Sequence, residues 1–432
     1  MDMYFNIQTA LKKVKLGIWV VLLGLNNLGA QIYFPPINGS EWDTLSPDRL
    51  GYCEDRIDSL YRFLENQNSK AFILLKDGKV VLESYFNGFS QDSFWYWASA
   101  GKTLTASVIG ILQGQGKLKL NDPTSKFLGN SWTSLSKNRE DSIHIWHQLT
   151  MTSGLDDHPT KSDCTDPSCL VYKAPVGNRW AYHNAPYTLL DRVIEAAAKK
   201  TLNQVVLSEL TQKTGLKVAY FKIGDNNVAI STPRNFARFG LLLLAQGKWN
   251  TQTIIPSTYF NEMVETSQTL NLSYGYLTWL NGKKSFMAPQ SQIKFPGSIM
   301  SEGPSDLFMA LGRDGQQIHV VPSQNIVWIR MGDAPNTQVP LVSFDLGNDI
   351  WKMINKLNCT NVSVKQSHGQ FQDIVFPNPV YRGHSINIET GLLIDYLGRT
   401  FHISQGLIPA NLRPGFYYLQ NQGRTQKLIV LE

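Results

Sequence analysis

The apolar segments between residues 43 and 358 come in a fixed order: strands first, then helices, then strands again. Near the start, Ala71–Leu75 and Val80–Tyr85 are β-rich runs on either side of the turn Lys76–Gly78, a pattern typical of a hairpin. A helix-rich stretch of about residues 99–250 separates this hairpin from the later strands. Strands at both ends with helices between them predict one sheet assembled from distant parts of the chain. The other predicted strands are Asp306–Leu311, Gln317–Val321 and Ile326–Met331, and the predicted helices include Asp48–Asn66, Leu189–Lys199, Asn235–Gln246 and Ser343–Leu357.

Composition excludes several classes of protein. Hydrophobic residues make up 42% of the 432 residues, which is enough for folded cores and excludes a disordered chain. The formal net charge of +6 forms no basic run, so nucleic acid is not an expected partner. No Cys/His cluster has the spacing of a zinc site and no motif requires a cofactor, so neither a metal nor a cofactor is predicted.

The first 30 residues have the layout of a secretory signal peptide. Three lysines precede the apolar run Leu16–Leu25, and the small residues Gly29 and Ala30 follow it. The alternative is a membrane anchor, but a bilayer span needs about 20 apolar residues and this run has about half as many. We therefore expect export, first to the periplasm and then to the cell surface or the medium. No stable transmembrane segment is expected after signal cleavage.

Export would place the four cysteines in an oxidising compartment, where pairing is favoured. Cys164 and Cys169 enclose the turn-rich sequence Thr-Asp-Pro-Ser, which is able to bring their sulfurs together. Cys53 and Cys359 would then pair by elimination and tie the two ends of residues 43–358. The alternative is that the thiols are buried and free.

Residues 371–432 form a separate β-rich segment after a polar linker, 359–370. Short alternating runs separated by turns with Gly or Pro predict a small antiparallel β-sandwich. Four motifs resemble the C-terminal sorting domain of the type IX secretion system of Bacteroidetes, which implies an interaction with that machinery, export across the outer membrane and removal of the tail. The alternative is a carbohydrate-binding or adhesive module. The motifs are Phe376–Pro379, Asp395–Gly398, Pro414–Tyr418 and Lys427–Val430.

Ser99 and Lys102 form a candidate nucleophile and base. Ser99 precedes an apolar helix, for which it is a suitable N-cap, and Lys102 follows three residues later on the same side of that helix. A serine hydroxyl needs a base, and lysine serves as one only if burial or a neighbouring cation lowers its pKa from about 10.4 towards neutrality. The alternative is a helix cap followed by a solvated lysine. Ser134–Lys137 has the same spacing without helical context and is interpreted as coincidence.

The sequence Tyr182-His183-Asn184 follows downstream, immediately before a predicted helix. Ser-x-x-Lys followed by Tyr-x-Asn resembles the serine β-lactamase and penicillin-binding protein superfamily, and tyrosine at the second motif resembles its class C branch. This implies a β-lactamase-like α/β (α+β) domain at 43–358, with an antiparallel sheet flanked by helices and a helical subdomain. His183 is interpreted as a neighbour of the site, because no Gly-x-Ser-x-Gly elbow surrounds Ser99. Further matching segments within about residues 50–357 are His147–Leu155, Asn235–Leu244, Tyr274–Trp279 and Val320–Val327.

The third motif of that family differs here. Family members often have Lys-Thr-Gly or His-x-Gly on the strand beside the serine, whereas Lys213–Gly215 comes too early and ends a predicted helix with a C-cap glycine. The counterpart by position is Phe308–Gln316, where two registers are open. Ala310–Gly312 would leave the N–H of Arg313 as an oxyanion donor, and Arg313–Gly315 would place a cation where the family has lysine or histidine. The first is preferred because Arg313–Gly315 is typical of a turn.

The resemblance implies acyl transfer in two steps. Ser99 would attack an ester or amide carbonyl and form an acyl-enzyme, while Lys102 and Tyr182 share the proton transfers. The backbone N–H groups of Ser99 and Arg313 would stabilise the oxyanion. Asn184 would orient the substrate or the lysine.

A small ester, amide or peptide-like molecule is therefore the expected substrate. The tryptophans near the motifs favour an apolar acyl or leaving group, although each is equally a candidate for the core. Two alternatives stay open: a DD-peptidase or β-lactamase that uses the same residues on peptidoglycan stems or β-lactams, and an inactive binding protein with the same fold. The residues expected to contact the substrate are Asn184, Gly312, Arg313, Trp97 and Trp180, with Trp95 and Trp279 as further candidates.

Overall fold

The computed structural model describes residues 31–336, 343–359, 380–395, 399–421 and 424–432. The predicted signal peptide, residues 360–370 of the predicted linker and the Phe376–Pro379 motif lie outside these residues, as does all but the first residue of Asp395–Gly398. No helix in the described ranges is both long enough and apolar enough to cross a membrane. The residues from Ile32 onward belong to one compact unit.

Helices cover the sheets of this unit and also form a separate region after the first hairpin. Short 3-10 turns and one π-helical segment, Leu207–Thr211 between α7 and α8, connect some of them. The helices are α1 (Glu54–Asn66), α2 (Gly101–Gly114), α3 (Ser125–Leu128), α4 (Lys137–Asp141), α5 (Ile145–Leu149), α6 (Asn184–Ala198), α7 (Leu202–Val206), α8 (Gln212–Thr214), α9 (Pro233–Leu244), α10 (Ser257–Met263) and α11 (Phe344–Ile354).

The strands of the described residues pair into sheets that are mostly antiparallel. The strands before residue 254 are β1 (Ser69–Lys76), β2 (Lys79–Tyr85), β3 (Trp95–Tyr96), β4 (Val218–Ile223), β5 (Asn226–Ser231), β6 (Lys248–Trp249) and β7 (Gln252–Thr253). The later ones are β8 (Trp279–Leu280), β9 (Ser285–Phe286), β10 (Phe295–Pro296), β11 (Phe308–Leu311), β12 (Gln317–Val321), β13 (Ile326–Gly332), β14 (Val380–Tyr381), β15 (Thr390–Asp395), β16 (Thr400–Ser404), β17 (Gly415–Asn421) and β18 (Arg424–Leu431).

A central antiparallel sheet of order β2-β1-β13-β12-β11-β8 confirms the prediction of one sheet built from distant segments. β1 and β2 are the predicted hairpin, and β1 pairs with β13, which places Phe72 opposite Arg330. Helix α9 packs against β1, β12 and β13, while α1 packs against β1 and α11. Since helices cover both faces, β12 and β13 are buried at every residue.

Two predictions about this part of the fold are wrong in detail. The predicted helix Asp48–Asn66 is divided, because Gly51 adopts the left-handed conformation at φ +73° and ends a 3-10 turn, Pro47–Leu50, before α1 begins. The stretch predicted as helix-rich also contains a three-stranded sheet of order β3-β5-β4. This second sheet becomes a wall of the site described below.

Both expected disulfide bonds are present. Cys53 bonds to Cys359 across a sequence separation of 306 residues, and Cys164 bonds to Cys169 within one loop. Backbone hydrogen bonds accompany the long-range pair, since the Cys53 N–H donates to the carbonyl of Leu357 at 2.8 Å and the Cys359 N–H donates to the carbonyl of Gly51 at 2.7 Å. The start of α1 and the segment after α11 are therefore joined both by the disulfide bond and by backbone hydrogen bonds.

The expected β-rich C-terminal segment is present as a five-stranded sheet of order β14-β18-β17-β15-β16. β14 and β18 are parallel and the other neighbours are antiparallel. The Pro414–Tyr418 and Lys427–Val430 motifs lie in or beside the adjacent strands β17 and β18. Lys427 on β18 also forms a 3.1 Å ion pair with Asp345 of α11. The sheet has its own apolar cluster, which includes Val380, Leu393, Leu419 and Leu428.

Candidate active site

Ser99 lies in the 3-10 turn Ala98–Ala100, which continues directly into α2. The prediction that Ser99 caps this helix is wrong, because Ala100 is the N-cap and makes no side-chain capping bond. The turn is anchored at Trp97, whose backbone N–H donates to the carbonyl of Ala229 at 2.8 Å. The Ser99 hydroxyl consequently serves no capping role and is left to a neighbouring side chain.

That neighbour is Lys102, as the three-residue spacing predicts. Lys102 Nζ donates a 2.9 Å hydrogen bond to Ser99 Oγ, and the lysine is only 3% exposed. Burial lowers the pKa of Lys102 to about 7, and the nearby charge of Arg313 acts in the same direction. Asp163 and Asp191 oppose this effect. The loss of hydration on burial therefore lowers the pKa of Lys102 by more than the two carboxylates raise it, and the lysine titrates near neutral pH.

Tyr182 and Tyr187 lie on either side of the start of α6 and pack against the lysine. Lys102 Nζ lies 4.9 Å from the ring centroid of Tyr182 and 4.3 Å from that of Tyr187. Burial raises the pKa of Tyr182 above its ordinary value, and the adjacent Ser99 hydroxyl offsets only part of the increase. The Tyr182 hydroxyl lies beside Ser99 without a fully formed hydrogen bond. Tyr182 is thus a neutral phenol at neutral pH.

Asn184, the last residue of the second motif, contacts the residue that precedes the Cys164–Cys169 disulfide loop. Its side-chain amide donates a 2.7 Å hydrogen bond to Asp163 Oδ1. The Asn184 side-chain oxygen is buried and has no hydrogen-bond partner among the described residues. Both Asn184 and Asp163 line the pocket. The amide is therefore oriented by a carboxylate, with its oxygen able to accept a further hydrogen bond.

His183, between these two residues, is buried and does not line the pocket. Burial lowers the pKa of its imidazole to about 4, while Asp157 and Asp156 act in the opposite direction. The histidine is neutral at neutral pH and lies apart from the Ser99–Lys102 contact. Its geometry agrees with the interpretation of His183 as a neighbour of the site.

Gly312, at the end of β11, packs directly on the turn that carries Ser99. A Cβ atom at this position would lie 2.5 Å from the carbonyl oxygen of Trp97 and 3.0 Å from the backbone nitrogen of Ala100. Only glycine allows β11 to approach so closely. The Lys-Thr-Gly sequence at Lys213–Gly215 ends α8 with a left-handed glycine, as predicted.

The residues Arg313–Gly315 form the turn between β11 and β12, in agreement with the preferred register. The Tyr96 hydroxyl donates a 2.6 Å hydrogen bond to Asp314 Oδ2. The buried guanidinium of Arg330 donates to the carbonyl groups of Asp314 and of the residue after it. The Arg313 side chain is exposed and lines the pocket. Neighbouring side chains therefore fix the turn, while the guanidinium of Arg313 is exposed at the pocket.

The expectation that Trp97 and Trp180 contact the substrate is wrong. Trp97 is 0% exposed and packs against Phe236 with ring centroids 4.7 Å apart. Trp180 is 1% exposed and packs against Tyr274 and Trp279 at 5.4 and 6.1 Å. Neither indole lines the pocket, and both belong to the core that supports Tyr182 and the Ser99 turn.

The residues around Ser99 enclose a pocket of about 490 Å³. One wall is the β4–β5 hairpin, which sequence analysis missed although Gly224-Asp225 between two β-rich runs is a hairpin signal. Most of the residues that line it have polar side chains, and the tryptophans on which the expectation of an apolar acyl or leaving group rests are not among them. The lining consists of Tyr96, Ala98, Ser99, Lys102, Ser162, Asp163, Tyr182, Asn184, Tyr187, Ile223, Asn226, Asn227, Val228, Gln290, Arg313 and Asp314.

An antiparallel sheet covered by helices, with a serine and a buried lysine at its edge, defines the β-lactamase-like class of fold. The model of the Beta-lactamase family matches residues 65–339, which is more than half of the chain. The chain therefore belongs to the Beta-lactamase family, whose members with this fold are serine hydrolases.

Solved structures agree on the fold. A "putative beta-lactamase" from Bacteroides dorei has a TM-score of 0.56 and 16% identity, over 72% of this chain and 100% of its own. A "putative 6-aminohexanoate-dimer hydrolase" from Bacillus anthracis has a TM-score of 0.57 and 19% identity, over 76% and 91%. The octameric penicillin-binding protein homologue from Pyrococcus abyssi has a TM-score of 0.51 and 16% identity, over 86% and 94%. Such low identities leave the substrate to be argued from the site itself.

Proposed function

We propose that the protein is a secreted serine hydrolase that cleaves a small ester or amide through an acyl-enzyme on Ser99. The observation that carries the proposal is the 2.9 Å hydrogen bond between Lys102 Nζ and Ser99 Oγ at the wall of the pocket. A buried lysine with a pKa of about 7 has a large neutral fraction at neutral pH, and a neutral amine is able to accept the serine proton.

The proton transfers follow from the order of these groups. Ser99 Oγ attacks the carbonyl carbon while its proton passes to Lys102 Nζ. Tyr182, which stays protonated because burial raises its pKa, passes its proton to the leaving oxygen or nitrogen and is reprotonated by Lys102. A water molecule then attacks the acyl carbon, gives up its proton by the same route and releases the acid and free Ser99.

The oxyanion of each tetrahedral intermediate would be stabilised by the backbone N–H groups of Ser99 and Arg313. The close packing of Gly312 on the Ser99 turn supports this pairing, because it brings the end of β11 against the backbone on both sides of the nucleophile. The hydrogen bonds that fix the Arg313–Gly315 turn also support it, since an oxyanion hole requires donors that do not move.

The many polar side chains that line the pocket favour an amide or peptide-like substrate over an ester of a long apolar acid. The side-chain amides of Asn184, Asn226, Asn227 and Gln290 offer both donors and acceptors to such a substrate. The buried and unpaired oxygen of Asn184 is suited to accept a hydrogen bond from a substrate N–H. A hydrolase of short linear amides fits this lining, and the similar structure from B. anthracis is described as a putative 6-aminohexanoate-dimer hydrolase.

A DD-peptidase or β-lactamase is the second candidate, and the exposed side chain of Arg313 is the observation that favours it. This guanidinium lines the pocket next to the proposed oxyanion site. It offers a cation for the carboxylate of a β-lactam or of a peptidoglycan stem peptide, in place of the lysine that the third motif lacks.

A panel of substrates on wild type and Ser99→Ala tests these candidates. We expect a fluorophosphonate probe to label wild type only, and short amides and p-nitrophenyl esters of small acids to be hydrolysed by wild type only. Nitrocefin turnover or stable labelling by a fluorescent penicillin would instead establish the second candidate. Failure of every probe to acylate wild type, or identical behaviour of Ser99→Ala, would leave an inactive binding protein.

We also propose that the protein is exported, with residues 1–30 as signal peptide and residues 371–432 as a type IX sorting domain that is removed. The two disulfide bonds support an oxidising destination. Mass spectrometry of the termini in the cytoplasmic, periplasmic and culture-medium fractions tests this. We expect a new N-terminus near residue 31 and loss of the tail from the secreted form. A full-length chain confined to the cytoplasm would contradict the proposal.

A further inference from the structure

A buried polar cluster lies next to Lys102 and takes no part in the proposed proton transfers. Its members are Asp191 and Tyr187 on α6, Thr105 on α2 and Tyr220 on β4, and each is at most 5% exposed. The Thr105 and Tyr220 hydroxyl oxygens are 3.0 Å apart. An ionisable carboxyl group inside such a cluster is unusual, because burial of an unpaired charge is costly.

The helices place Asp191 close to the lysine. Helices α2 and α6 pack against each other. Tyr187 contacts the lysine, with its ring centroid 4.3 Å from Lys102 Nζ, and Asp191 follows one turn later on the same face of α6. Thr105 likewise follows Lys102 by nearly one turn on α2. The carboxyl of Asp191 and the amine of Lys102 therefore face each other across the α2–α6 contact without a direct ion pair.

The hydrogen bonds of Asp191 leave it partly unsatisfied. Its Oδ2 accepts a 3.0 Å hydrogen bond from the side-chain amide of Asn227, a residue that lines the pocket. Its Oδ1 is buried without a hydrogen-bond partner in the described part of the chain. Among the charged groups that act on Asp191, Glu195 of the same helix repels the carboxylate and Lys102 attracts it.

We propose that Asp191 is a positioning residue whose carboxylate is the buried counter-charge of Lys102 and sets the pH range in which the lysine accepts the proton of Ser99. This inference rests on the proposed function, since it assigns Asp191 a role only through the base. Asp191 does not line the pocket and makes no hydrogen bond to Ser99, so its effect on the nucleophile passes through Lys102.

The electrostatic effects within the pair are reciprocal. Burial raises the pKa of Asp191 to about 7 and lowers that of Lys102 to about 7, while each charge favours the ionised form of the other. The charged groups on the surrounding elements are Glu195 on α6, Asp163 just before Cys164 and Arg313 after β11. Because both groups titrate in one range, their proton release is coupled and spread over two macroscopic steps. Activation of Ser99 should follow the same broadened curve.

The rate of Ser99 labelling by a fluorophosphonate, measured from pH 5 to pH 9, tests the role of Asp191. In wild type the rate should rise with pH through a broad transition near neutrality. Asp191→Asn removes the carboxylate that favours protonated Lys102. The transition should therefore move down by at least about half a pH unit and sharpen to a single ionisation.

Asp58→Asn is the matched control, because it removes an exposed carboxylate of α1 that acts on neither Asp191 nor Lys102. Its labelling curve should match that of wild type. If Asp191→Asn melts like wild type and its labelling curve does not move, the inference is overturned. If wild type is not labelled at Ser99 at any pH, the proposed function itself fails.

Asn227→Leu is the second variant, for the case in which Asp191→Asn does not fold. It removes the hydrogen bond that stabilises the Asp191 carboxylate, which favours the protonated acid and should move the labelling curve in the same direction. An unchanged curve in folded Asn227→Leu would likewise overturn the inference.

Discussion

Gly312→Ala should move the proposed oxyanion donor Arg313 N–H away from Ser99 while the fold persists. The new Cβ would lie 2.5 Å from the carbonyl oxygen of Trp97 and 3.0 Å from the nitrogen of Ala100, both of which are backbone atoms. An ordinary contact of about 3.5 Å would require the end of β11 to move by close to 1 Å relative to the Ser99 turn. A misplacement of that size is expected to lower kcat/KM about 100-fold. The overpacking should cost about 1–3 kcal/mol of unfolding free energy.

Steady-state hydrolysis of the best substrate from the panel measures the first effect, and urea unfolding measures the second. Gly101→Ala is the matched control, because this glycine begins α2 at φ −62° and a Cβ there would lie 3.4 Å from the Cβ of Ala229. That variant should keep its activity and gain about 0.4–1 kcal/mol of stability. Retention of kcat/KM within about threefold by Gly312→Ala would refute the argument that this contact positions the oxyanion donors.

Three further results are expected. Lys102→Met should lower kcat about 1,000-fold, because the base is lost. Its thermal stability should not fall, since an apolar side chain replaces a buried amine, and a cooperative thermal unfolding transition at or above the wild-type temperature would show this. In wild type, kcat/KM should fall about tenfold per pH unit well below pH 7, as Lys102 becomes protonated; a flat profile down to pH 5 would contradict Lys102 as the base. Replacement of the Cys53–Cys359 pair by alanine should cost about 5 kcal/mol in urea unfolding and that of Cys164–Cys169 about 2, because loop-closure entropy grows with loop length.

Local geometry explains why part of the site follows from the sequence. A helix fixes the positions of residues three apart, so Ser99 and Lys102 meet wherever that helix packs. The Asp-Gly turn fixes the β1–β2 hairpin in the same local way. Even so, the role of Ser99 as a helix cap was wrong, because the turn before α2 is already helical and leaves no extended capping residue.

The walls of the pocket depend on contacts between distant segments and did not follow from the sequence. β3 pairs with β5, so Trp95 lies opposite Ser231, and this pairing brings the β4–β5 hairpin to the site. The sequence alone also does not decide whether an indole faces the pocket or the core. Trp97 and Trp180 follow the motifs in sequence yet lie behind them in the core, where they support the reactive side chains.

The Cys53–Cys359 bond has a consequence for proteolysis. It joins the start of α1 to the residue that opens the predicted linker, so the backbone between them is a covalently closed ring that contains the whole central sheet. A single cut between Cys359 and residue 371 would detach the tail from this ring and leave the ring closed. If the tail is removed as proposed, the position of the cut within this stretch would not affect the closure of the ring.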